Sequence, residues 1–320
     1  MAAGRPDRPG PLRRARRPAG PPQPGNPGPD GGDVTRPPEI EVLRAGSLTT
    51  VQDLGRPGWA HLGVPRAGAL DPAALRLANR LVGNPEHAAG LEVTLTGCVL
   101  RLTRATTVAV TGAEVPVRAG DRPGDVGRPL TIPAGTVLRI GPARRGVRSW
   151  LAVAGGIDVP PLLGSRATDT LSGLGPPPLR DGDRLPLGEP QGEPAPVDAT
   201  VSPPPQPELH LTLRPGPRDD WFTPTALDRL LGTAYTVSPV SNRVGARLTG
   251  APLPRAVAGE LPSEGIVLGA VQVPADGQPL IFLADHPTTG GYPVIGVVTD
   301  VTPLAQARPG TTVRFHGPQR

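Results

Sequence analysis

The chain has 320 residues, among them 43 Gly and 47 Pro, with one cysteine and no lysine, so all 33 basic residues are Arg. Without Lys there is no Walker A phosphate loop, no Schiff-base or pyridoxal-phosphate lysine and no residue to carry covalently attached biotin, and the lone Cys98 excludes disulfide frameworks and cysteine-rich zinc sites. The formal charge of +5 does not describe a nucleic-acid binder: residues 1–38 hold seven Arg against three acids, which is +4 of the total, and aromatics make up 2% of the chain.

Residues 1–38 are dense in Pro, Gly and Arg without apolar periodicity and read as a disordered extension. No stretch approaches the ~18 apolar residues of a membrane span, and the Arg-rich start leads into Pro and Gly rather than an apolar run, so the expected location is the cytoplasm. Residues 39–51 alternate as two short strands around Ala45-Gly46, followed by a loop over 52–70. A helix then opens with Asp71 as N-cap and Pro72 at its first position, carries Leu75, Leu77, Ala78 and Leu81 as a stripe, and stops at Gly83. Strands are predicted at 91–96, 99–102, 107–111, 115–117, 136–140 and 150–153, separated by Gly and Pro turns as in a barrel or sandwich.

Eight prolines in residues 186–207 mark a linker between a first β-rich unit at 39–185 and a second at 208–316. The second unit echoes the first. Thr223-Pro224 opens a short helix stopped by Gly232, Arg247-Leu-Thr-Gly250 answers Thr94-Leu-Thr-Gly97, and the run from Ile281 through Gly290-Gly291 answers Trp150 through Gly155-Gly156. Repetition of both order and spacing implies duplication, and the fold class is mainly β with a few short helices.

The densest polar constellation lies between Ser241 and Tyr292, on loops that follow apolar strands and can converge on one barrel mouth. Asn242, Arg243 and Ser263 are candidate binding residues. Thr288, Thr289, Gly290, Gly291 and Tyr292 either cradle an anion with hydroxyls and backbone N–H groups or form a tight turn. Asp285 and Glu264 either serve as general base and ligand-orienting carboxylates or cap a turn and pair with a surface Arg. Gln272, amid apolar neighbours, either reads a ligand amide or closes an internal network. Arg56 or Arg66 can take a carboxylate or phosphate. Asn79 and Glu92 need burial to belong to a site, and Trp59, Trp150 and Trp221 read as core anchors. His286 has no second ligand at metal spacing, so no metal is expected, and no Gly-x-Ser-x-Gly elbow supports Ser263 as a nucleophile.

Seven segments in order carry a resemblance: Thr50-Val-Gln-Asp-Leu-Gly-Arg-Pro-Gly58, Gly63-Val-Pro-Arg-Ala-Gly-Ala-Leu-Asp71, Asn79-Arg-Leu-Val-Gly-Asn84, Leu151-Ala-Val-Ala-Gly-Gly-Ile157, Ser241-Asn-Arg-Val-Gly-Ala-Arg-Leu-Thr-Gly250, Pro262-Ser-Glu-Gly265 and Thr288-Thr-Gly-Gly-Tyr-Pro293. Together they resemble the biotin-dependent carboxyltransferase family, in its standalone branch of 5-oxoprolinase C subunits and KipA-like proteins. The resemblance implies two cyclophilin-like β-barrel subdomains. It also implies an ATP-dependent complex with the A subunit and the KipI-like B subunit of 5-oxoprolinase, which opens the cyclic amide of 5-oxoproline to glutamate with Asp285, Gln272 and Glu264 as catalytic candidates. Alternatives within the family are a biotin-dependent carboxyltransferase of the urea carboxylase type and a non-catalytic KipA-like antagonist of a kinase inhibitor. Many members read Asp-Arg-Gln before the Thr-Thr-Gly-Gly-Tyr-Pro run and Lys after it; here His286, Pro287 and Val294 occupy the divergent positions.

Overall fold

The computed structural model describes Met1 and residues 37–195, 206–259 and 261–318. The Arg-rich extension therefore lies outside the described residues, apart from its first residue and its last two. Residues from Pro37 onward form one compact unit, built from two β-rich halves.

In the first half the strands lie in two sheets. One runs in the order Arg184–Pro186, Glu39–Arg44, Cys98–Leu102, Val137–Ile140, Val117–Ala119, Arg122–Gly124; the other runs Leu48–Gln52, Gly90–Thr94, Arg145–Val153, Thr106–Glu114, Pro129–Ile132. Alternation decides which faces meet. In Glu39–Arg44 the inward Ile40 and Val42 are fully buried, and they share one apolar cluster with Leu91, Leu100, Val110 and Leu151. The predicted helix is α1 (Pro72–Leu81): Asp71 Oδ1 accepts from the N–H of Ala74 at 2.9 Å, and Gly83 leaves the helix with φ +77°. Its buried Leu75, Ala78 and Leu81 pack onto the second sheet.

The second half closes on itself. Glu208–Pro215, Val294–Val298, Ala270–Gln272, Leu280–Phe282, Gly245–Thr249, Ala234–Val237 and Thr312–His316 form a barrel, sealed by parallel pairing of the first and last strands through Leu209↔Val313 and Leu211↔Phe315. Helix α2 (Pro224–Gly232) sets Ala226 and Leu230 against the barrel core of Leu211, Tyr235, Val271, Ile281 and Phe315. The same cluster includes Ala69, Leu70, Leu75 and Trp150, so one apolar core runs across the boundary between the halves.

The sequence echo has a structural counterpart. In the first half the strand ending at Thr94 pairs with the strand through Trp150 (Leu91↔Leu151, Val93↔Ser149). In the second, the strand ending at Thr249 pairs with the strand through Ile281 (Ala246↔Ile281, Arg247↔Leu280). The repeated segments are thus partners within each half.

Residues 187–195, the described remainder of the Pro-rich segment's first part, pack along the first half. Leu187 is buried and its N–H donates to Pro38 O, and the N–H of Ala195 donates to Arg80 O. The backbone reaches closest at Gly155, whose φ is +94° and where an added Cβ would lie 2.0 Å from Gly188 O. Both the left-handed conformation and that approach exclude a side chain, which makes Gly155-Gly156 a packing turn. Gly155→Ala should therefore destabilise the protein by more than ~1 kcal/mol, read as a lower midpoint in urea unfolding, whereas an alanine at the open Gly135 should cost less.

Candidate functional site at the junction of the halves

Arg243, fully buried, sits where the two halves meet. Its Nε and Nη2 donate to the two oxygens of Asp285 at 2.9 and 2.8 Å, Nη1 donates to Glu92 Oε1 at 2.6 Å, and Nη2 also donates to the carbonyl of Gly68 at 2.6 Å. Glu92 and Gly68 come from the first half. Burial by itself disfavours the charged guanidinium, but the paired carboxylates outweigh it and hold the group well above its ordinary range. Glu92 Oε2 accepts from the N–H of Leu70 at 3.1 Å, and Arg148 Nε stands 3.3 Å from Glu92 Oε1. Arg148 is tied in turn to the second half through Ala305 O at 2.9 Å, and Gln306 Oε1 accepts from the N–H groups of Val147 and Arg148 at 2.8 and 3.2 Å.

This network corrects the roles expected of two residues. Asp285 accepts two bonds from Arg243 and two more from Thr170, through its N–H at 3.0 Å and its hydroxyl at 2.6 Å. With its acceptor sites filled and no exposure to solvent, the carboxylate is not placed to act as a general base on a ligand. Arg243 is likewise consumed inside the protein rather than presented to a substrate. Glu92 and Asn79 are both buried; Asn79 serves the chain, donating through Nδ2 to the carbonyls of Glu86 and Ala88.

The remaining candidates divide among different surroundings. Asn242 Oδ1 accepts from the N–H groups of Val244 and Gly245 at 2.8 and 3.2 Å, closing its own turn. Gln272 is buried and its Nε2 donates to Tyr292 O at 2.8 Å, which is the internal-network reading. In the run at 288–292, Thr289–Gly290 pairs with Glu264–Gly265, and Thr288 O accepts from the N–H of Ile266 at 2.9 Å. Glu264 is bonded through both oxygens to Arg218, a contact that keeps its carboxyl below the usual range. Ser263 and Tyr292 are exposed, the latter with the Arg255 guanidinium 5.8 Å from its ring centroid. Cys98 is buried and its thiol is pushed up to about 12 by desolvation, so it is no nucleophile.

An open cleft lies between the loop after Gln52 and the second barrel. Its larger part, about 280 Å³, is lined by Arg56, Trp59, Val64, Arg66, Ile266, Val267, His286 and Thr288, among others. A smaller part of about 130 Å³ shares Arg66, Leu268 and His286 with it and continues to Asp300 and Thr302. Arg56 underlies the loop: its Nη2 donates to Ala167 O, Nε donates to Leu162 O at 3.4 Å, and Nη1 has no partner among the described residues. Burial draws its pKa down, opposed by the nearby Asp53, Asp169 and Asp285. Of the predicted site residues, Arg56 and Thr288 line this cleft, whereas Asn242 and Arg243 line a separate cavity of about 160 Å³.

A model of the carboxyltransferase domain, subdomains A and B, matches residues 62–317. The chain belongs to the carboxyltransferase domain family. It is 40% identical over 285 residues to the 5-oxoprolinase C subunit of Escherichia coli (strain K12), across 86% of this chain and 90% of that one. Identity to the urea amidolyase of Lachancea kluyveri is 33%, across 88% of this chain but 17% of that much longer one. Among solved structures, TTHA0988 superposes with a TM-score of 0.80 at 38% identity over 89% of this chain and 56% of that one. The Kluyveromyces lactis urea carboxylase gives 0.80 at 30% identity over 90% and 28%. The chain therefore spans nine-tenths of the bacterial C subunit, about half of TTHA0988 and less than a third of the urea carboxylase.

Against this family background, the residues that sequence reasoning underweighted are Arg66, His286 and the run Ile266-Val267-Leu268. Trp59, read as a core anchor, instead stands half-buried at the cleft, while Trp150 is wholly buried. Val267 and Leu268 are exposed at the cleft, at 55% and 37%. The N-terminus of α1 is closed by the Asp71 carboxylate, and the cavity beside the N-terminus of α2 is lined by Asp219 and Asp220, which disfavour phosphate. Among the described residues no group of three or more His, Cys, Asp or Glu is placed to hold a metal ion, and the chain has no lysine to carry biotin.

Removing Arg243 would strand two buried carboxylates. Arg243→Met should cost about 3–5 kcal/mol of stability, and pairing it with Glu92→Gln should cost less than the sum of the two single changes, both measured by denaturant unfolding. Strictly additive changes would show that the ion network does not act as one unit.

Proposed function

We propose that this chain is the C subunit of an ATP-dependent 5-oxoprolinase, a multi-subunit hydrolase that opens the lactam of 5-oxoproline to glutamate. The observation that carries the reading is the match to the Escherichia coli C subunit, 40% identical and extending over 90% of that protein. A second C subunit, from Haemophilus influenzae, matches at 33% over the same share. The long urea enzymes, by contrast, contain this region as a minor part. The cleft supports the reading, since its combined volume suits a small molecule and it joins an exposed cation to apolar walls.

Hydrolysis of a lactam adds water across the C–N bond, leaving a new carboxylate and a free amine. ATP hydrolysis would drive that opening; given the Asp71 cap of α1, the acids lining the cavity beside α2 and the absence of lysine, we assign the nucleotide to the partner A and B subunits. This chain would contribute substrate contacts and a wall that limits water.

Reconstitution with the A and B subunits tests the reading. The three-part complex should release glutamate from 5-oxoproline with concomitant ATP hydrolysis, insensitive to avidin, and this chain by itself should be inactive. A complete, stable complex that leaves 5-oxoproline untouched would sink the reading; avidin-sensitive carboxylation would move the chain to the biotin-dependent alternative.

A further inference from the structure

His286 is the one polar side chain other than Arg66 that lines both parts of the cleft. Its Nδ1 stands 2.7 Å from the carbonyl of Pro287, which can only accept, so Nδ1 carries a hydrogen. In the neutral ring the lone pair then falls on Nε2. That atom has no hydrogen-bond partner among the described residues, and the ring lines both parts of the cleft. Although the residue is mostly buried, the ring offers the cleft a hydrogen-bond acceptor whose tautomer is set by its own neighbour's backbone.

Arg66 supplies the complementary group. It is exposed and its guanidinium has no hydrogen-bond or ion-pair partner among the described residues, unlike those of the buried Arg56, Arg148 and Arg243. A free guanidinium suits a carboxylate, and an acceptor nitrogen suits an N–H donor; Trp59, Val64 and Ile266 supply an apolar wall for the body between them.

We propose that Arg66 and His286 form a recognition pair for a carboxylate-bearing cyclic amide, Arg66 taking the carboxylate and His286 Nε2 accepting the ring N–H. Both are positioning residues. The choice of 5-oxoproline as ligand rests on the function proposed above, but the pair is a claim about binding by this chain alone.

The test is calorimetric titration of the full chain with three probes: 5-oxoproline, its carboxamide and its N-methyl derivative. The unmodified chain should bind 5-oxoproline about ten-fold or more tightly than either analogue, each of which removes one contact. Arg66→Gln, an exposed change that leaves the fold intact, should abolish the preference over the carboxamide while sparing the preference over the N-methyl compound. His286→Phe should do the reverse. The pair is overturned if the unmodified chain binds the three probes equally or 5-oxoproline not at all, or if Arg66→Gln weakens all three alike. The outcomes separate this claim from the proposed reaction: an active complex in which this chain shows no such preference refutes the pair only, and selective binding with an inactive complex refutes the reaction only.

Discussion

Arg243 bonds to carboxylates contributed by both halves of the chain and to the Gly68 carbonyl of the loop that forms one wall of the cleft. A guanidinium in so dry a place is tolerated only because its charge is paired and each of its three nitrogens donates to an acceptor; stripping water from either partner alone would cost several kcal/mol. The matching has a geometric consequence. Gly68 lies two residues beyond Arg66 and Asp285 immediately precedes His286, so the same ion network that joins the halves also sets the separation of the two polar groups facing the cleft. The buried network and the cleft-lining side chains of Arg66 and His286 are thus tied through the backbone.

The apolar core enforces the same arrangement from below. Leu75 and Trp150 of the first half share a cluster with Leu211, Ile281 and Phe315 of the second barrel, so the halves do not have separate interiors. Gln306 adds a polar strap, accepting from two N–H groups of the first half and donating to Arg148 O at 2.8 Å. A cleft bounded by elements joined this closely is held largely preformed, which lowers the ordering cost of binding a small ligand.

Much of the architecture was legible from residue patterns. Alternation in 39–51, the Asp71-Pro72 start and Gly83 stop of α1, and the recurrence of Leu-Thr-Gly at 95–97 and 248–250 are local features, read within a turn or a strand, and the structure repeats each of them. The short strands Arg122–Gly124, Pro129–Ile132 and Arg184–Pro186 were not, because each contains or adjoins Pro and carries too few apolar residues to alternate visibly. Within the linker expected at 186–207, residues 187–195 pack on the first half, since Leu187 finds a buried place that composition cannot reveal.

The site was legible only as an inventory. Sequence by itself determined which chemistries are impossible, through the absence of lysine and the single cysteine, and it determined the β-rich, duplicated character and the family resemblance of the chain. It also brought forward Asp285, Arg243, Gln272 and Glu264 as polar residues near turns. Tertiary structure alone decided that these four face inward or bond to other side chains of the protein while Arg66 and His286 face an opening. The reason is physical: a charged side chain in a loop reads the same in sequence whether its partner lies across a barrel boundary or in solvent, and Glu92, 151 residues away along the chain, becomes Arg243's neighbour only when the two halves close.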